Sequence, residues 1–70
     1  MLDKLLFSTN SQRVLACMIQ DVGREYLAEE IRRETGISKA GIHKALMDLI
    51  AEALVVRRRQ THVLFFMLWT

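Results

Sequence analysis

Four residues in mid-chain, Thr35–Gly36–Ile37–Ser38, do most to decide what this chain can fold into. A helical pattern runs into them from about Ala28 and resumes at Lys39, continuing to about Ala53. Glycine tolerates the left-handed conformation that ends a helix, and serine is a strong N-cap for the next one. The spacing therefore predicts two helices, over 28–35 and 39–53, joined by a tight glycine turn. On the second, Ile42, Leu46, Leu49, Ile50 and Ala53 fall within an arc of about 100° and face a core. Ala40, His43, Lys44 and Met47 point the other way.

Upstream, Ser8–Thr9–Asn10–Ser11 is rich in N-cap residues and predicts another helix over about 12–22. Its apolar stripe reads Leu15, Met18, Ile19 and Val22, and Gly23 ends it. Leu2, Leu5 and Leu6 have helical spacing in a short N-terminal turn. Glu25–Leu27 is long enough only for a stub of strand. Downstream, Leu54–Val56 and the segment His62–Trp69, apolar without a break from Val63, read as two short strands, joined by a basic turn at Arg57–Arg59. No Asn-Gly or Asp-Gly pair fixes the type of that turn. The expected core is Leu15, Ile19, Ile31, Ile42, Leu46, Leu49 and Leu54. The fold class is mainly α with a small β-hairpin, in one domain spanning 1–70 with its wing at about 54–69.

Composition narrows the function. At 70 residues, 51% of them apolar, the chain has a folding composition but a modest core of its own. A single cysteine, Cys17, rules out an internal disulfide. The longest apolar run, seven residues at Val63–Trp69, is far short of the roughly 20 needed to cross a bilayer. Met1–Phe7 holds one acid, one base and no small-residue cleavage signal, so a cytoplasmic protein is expected. Net charge is only +2, but it is unevenly spread: residues 1–36 carry five bases and six acids, residues 37–70 five bases and two acids. The positive half is where a polyanion would bind.

Three helices with a glycine turn, followed by a basic hairpin, form the layout of a winged helix-turn-helix. Residues Glu25–Ser38 (EYLAEEIRRETGIS) and Ile37–Val55 (ISKAGIHKALMDLIAEALV) resemble the helix-turn-helix of bacterial and archaeal winged-helix transcription regulators, above all those of the arsenic-repressor type. Leu5–Ile19 (LLFSTNSQRVLACMI) is similar to their first helix and Leu54–Phe66 (LVVRRRQTHVLFF) to their wing. The resemblance implies a double-stranded DNA-binding regulator of transcription. It sets Lys39, Ala40, His43 and Lys44 at the major groove, and Arg57, Arg58, Arg59 and His62 along the backbone or minor groove. The sequence also departs from that pattern. Ala40 and Gly41 replace hydroxyl residues, Arg32 stands where a small residue packs against the next helix, and Ala53 replaces the glycine that ends it.

The last strand is apolar on both faces, whereas a strand with one wet face alternates. A homodimer covering Leu5, Leu6, Phe66 and Leu68 is the expected partner of that surplus. His43, His62 and Cys17 match no common zinc spacing, so neither a metal nor another cofactor is expected. Glu29 and Glu30 beside Arg32 and Arg33 read as a charged helix face rather than an acid–base pair, and no catalytic motif is present. An enzyme is not expected. The competing class is a winged-helix module that docks a protein and never touches DNA.

Overall fold

The computed structural model describes residues 8–69, in which three helices precede a β-hairpin: α1 (Thr9–Ile19), α2 (Ala28–Thr35), α3 (Lys39–Ala51), β1 (Val55–Gln60) and β2 (Val63–Leu68). The expected turn at Leu2–Leu6 and the interface residues Leu5 and Leu6 lie outside the described residues.

A side chain accepts from a backbone N–H at the start of each helix. The Ser8 hydroxyl accepts from the Ser11 N–H at 3.1 Å, so α1 starts at Thr9, three residues before the sequence suggests, and ends at Ile19. Gly23, at φ +93°, closes the turn after the helix rather than the helix itself. At α2, the Glu30 carboxylate reaches back to the Leu27 N–H at 2.9 Å. Gly36 ends α2 in the left-handed region at φ +75°. The Ser38 hydroxyl then accepts from the Gly41 N–H at 3.1 Å and starts α3.

Ten apolar side chains besides Phe66 form the core: Val14, Met18, Tyr26, Ile31, Ile37, Ile42, Ala45, Leu46, Leu49 and Val55. The expected stripe of α1 is corrected by rotation. Met18 faces the core as expected, together with Ser11 and Val14, whereas Ile19 is 53% exposed and Val22, beyond the end of the helix, 60%. Ser11 is wholly buried, and the neighbouring Ser8 hydroxyl lies 3.2 Å from its own. Leu15 packs at the edge of the core.

The end of α3 falls two residues before the expected position, close to it. The helix stops at Ala51, and Ala53 turns the chain at φ +61°. That turn leaves Leu54 exposed and sends Val55 inward, one residue later than expected.

The hairpin differs from its expectation in one further way. Arg57–Arg59 do not form the turn; they lie within β1, and the loop is Thr61–His62. Of those two residues only Thr61 has positive φ, +60°, which is the pattern of a type II′ rather than a type I′ turn. The strands pair antiparallel from Val55↔Leu68 to Gln60↔Val63. The stub at Glu25–Leu27 exists as a single bridge. Tyr26 N–H donates to the Phe66 carbonyl at 2.7 Å, and Phe66 N–H to the Tyr26 carbonyl at 2.8 Å. Tyr26 thus lies on one side of β2 and β1 on the other, which makes β1 the outer strand of the hairpin.

Candidate nucleic-acid interface

Directly opposed residues in an antiparallel pair share a face of the sheet. Arg57 opposes Phe66 and Arg59 opposes Leu64, while Arg58 opposes Phe65. The arginine triplet is therefore split. Arg57 and Arg59 belong to the face that carries Phe66 and Leu64, and Arg58 to the reverse face.

The Phe66–Leu64 face closes a groove of about 330 Å³ against α2 and α3. Ile42, Leu46, Leu64 and Phe66 line its floor, and Glu29, Arg32, Lys39 and His43 its rim. Arg32, set against the resemblance as too large for its position, is accommodated because its guanidinium lies in this rim and pairs with Glu29. Glu29 is also 3.8 Å from Arg33. These guanidiniums, with Arg32 first as a hydrogen-bond donor, hold the Glu29 carboxyl below its ordinary range. Glu30, grouped with it in the sequence, serves the start of α2 and lies 3.4 Å from Arg24.

The outward residues of α3 stand as the sequence predicts: Lys39, Ala40, His43, Lys44 and Met47 are all exposed. Lys44 lies 3.5 Å from Asp48, one turn further on. Lys39, Arg57 and Arg59 form no ion pair among the described residues. Gly41 has a role that its absent hydroxyl concealed. A Cβ there would lie 2.7 Å from the Ile37 Cγ2 and 2.9 Å from the Asn10 Nδ2, so the glycine permits α1 to approach the start of α3.

Arg58 is held away from the groove. Its Nε and Nη2 donate to the two Glu25 oxygens at 2.5 and 2.7 Å, and its guanidinium carbon lies 5.7 Å from the centre of the Phe65 ring. Arg58 holds the Glu25 carboxyl below its ordinary range, chiefly by these hydrogen bonds. Sequence reasoning missed Glu25 because its partner is 33 residues away. His62 is exposed in the hairpin loop. Of the residues expected at a dimer interface, Phe66 lies in the chain's own core and Leu68 is partly buried against it. The apolar residues on the reverse face are Val56 from β1 and Val63, Phe65, Met67 and Trp69 from β2 and its end.

Among the described residues, no three of His, Cys, Asp and Glu stand close enough together to hold a metal ion. Nor is any described helix long and apolar enough to cross a membrane. Three helices followed by an antiparallel hairpin, with α2 and α3 joined at Gly36, define the chain as mainly α with the architecture of a winged helix-turn-helix. No protein-family model matches the chain, and no curated protein or solved structure does so either.

Proposed function

We propose that the chain binds double-stranded DNA and regulates transcription, with the start of α3 in the major groove and the hairpin against the backbone. The observation that supports this reading most is that Lys39 and His43 stand at the rim of the groove, while the exposed Arg57 and Arg59 belong to the sheet face that closes it. Exposed cations without acidic partners suit phosphates, and the outward side chains at the start of a helix suit base edges. In this reading Lys39 contacts a phosphate or a guanine edge, Lys44, beside Asp48, a guanine edge, His43 a base edge, and Ala40 leaves room for the duplex. Arg57, Arg59 and His62 contact the backbone. Arg58 contributes little, because Glu25 already neutralises it. A homodimer, joined through the reverse face of β2, would set two α3 helices about 34 Å apart in successive major grooves.

The test is a salt titration of duplex binding. Each phosphate-contacting cation adds about one to the slope of log affinity against log salt. Arg57→Ala and Arg59→Ala are each expected to lower that slope by about one, and Arg58→Ala to leave it nearly unchanged. Lys44→Ala at a base edge would cost about 1–3 kcal/mol on a preferred site alone. Absence of salt-dependent binding at low ionic strength would refute the proposal.

A further inference from the structure

No described residue pairs with the outer edge of β1. Phe66 uses both its N–H and its carbonyl on Tyr26, so its pair with Arg57 carries no ladder hydrogen bonds. Backbone groups alternate sides along an antiparallel strand. The N–H and carbonyl groups of Val55, Arg57 and Arg59 consequently point away from β2. The side chains of the same three residues share one face, in the order apolar, basic, basic.

Beside the beginning of this edge lies a hollow of about 360 Å³, lined by Ile50, Ala53, Val55, Val56, Arg57 and Trp69. Trp69 is 68% exposed there. Its N–H donates to the Leu54 carbonyl at 3.0 Å, which fixes its backbone at the hollow. Arg57 and Arg59 are exposed and form no ion pair among the described residues. A second copy of this chain does not suit the edge, because β1 against β1 would bring arginines together.

We propose that this edge takes up an extended acidic segment of another protein as an additional antiparallel strand. Main-chain hydrogen bonds to Val55, Arg57 and Arg59 would hold it, and side chains at every second position would select it. Running against β1, the guest meets Arg59 first, then Arg57, then Val55. It therefore carries acid, any residue, acid, any residue, and then an apolar side chain that enters the hollow from the Val55 face, beside Ile50. Such a strand would occupy the two arginines that the DNA reading assigns to phosphates, yet it needs neither Lys39 nor Lys44.

The probe is the capped peptide Glu-Thr-Glu-Thr-Leu-Thr, followed by emission of Trp69, the sole tryptophan. A saturable blue shift is expected, with amide resonance shifts centred on Val55, Arg57 and Arg59. Arg57→Gln and Arg59→Gln are each expected to weaken binding about fivefold, whereas Lys44→Ala leaves it unchanged whether or not DNA binds. Both glutamine variants alter exposed positions, and a thermal melt verifies that they fold. A scrambled peptide of the same composition, or one N-methylated on alternate residues, should bind far more weakly. Equal binding by either peptide would overturn the proposal. So would resonance shifts centred on α3, self-association through β1, or no saturation at millimolar peptide.

Discussion

Ala53 is a residue in the wrong conformation for its side chain, and replacing it tests the turn from α3 into β1. Its φ of +61° lies in the left-handed region. There a Cβ crowds the following carbonyl, at a cost of roughly 1–2 kcal/mol. Glycine escapes that cost but loses about 0.5–1 kcal/mol more in backbone entropy on folding. The difference favours Ala53→Gly by about 0.5–1 kcal/mol. The exposed Ala53 methyl group makes little packing to lose. For a chain this short, about 1 kcal/mol corresponds to roughly 4–8 °C in Tm, so the variant should melt about 2–8 °C higher. The assay is reversible thermal unfolding followed by circular dichroism at 222 nm. A Tm equal to or below that of the parent would refute the assignment of a left-handed residue at 53, and with it the turn that points Val55 inward.

Thr61→Gly should stabilise by the same argument, and the two gains should add because the sites lie beyond opposite ends of β1. Leu46→Ala should cost about 2–5 kcal/mol in a denaturant melt, since Leu46 is 2% exposed, whereas Ile19→Ser should change stability by less than about 0.5 kcal/mol. Gly41→Ala gains about 1 kcal/mol of helix propensity but forces a buried Ile37 to shift, so the net effect should be destabilising in the same melt. Cys17 is pushed up to about 11, first by burial and then by Glu34, whose carboxylate accepts from its thiol at 3.3 Å. At pH 8 its alkylation should be about a hundredfold slower in the folded chain than in urea. Because the folded value is the raised one, this contribution to stability is present below pH 9 and disappears as pH rises through 11.

The α2 boundaries were legible because Gly36 and a clear periodicity agree on them. The inward face of α1 was not. Its first buried position is Ser11, a polar side chain satisfied by a neighbouring serine, so hydropathy shifted the stripe towards Ile19 and Val22. The ends of α3 and the hairpin loop were obscured by residue identity. Alanine and threonine occupy the two left-handed positions where glycine or asparagine would have marked a turn, and the arginines looked more like a loop than the loop did. For the candidate site, the outward residues of α3 followed from period alone. The division of Arg57 and Arg59 from Arg58 depends on strand register, and the partner of Arg58 on a contact across half the chain. Neither is encoded by local pattern.

The bridge at Tyr26 also governs how freely the hairpin can move. A two-stranded ribbon attached only at its base would sample many orientations and lose that freedom when a partner fixed it. Here β2 is tied at mid-length to the segment before α2 by two main-chain hydrogen bonds, and β1 is tied to it through Glu25 and Arg58. These ties restrain the hairpin against the three helices. Any surface that meets α3 and β1 together encounters groups already set at their final spacing, and association loses correspondingly less entropy.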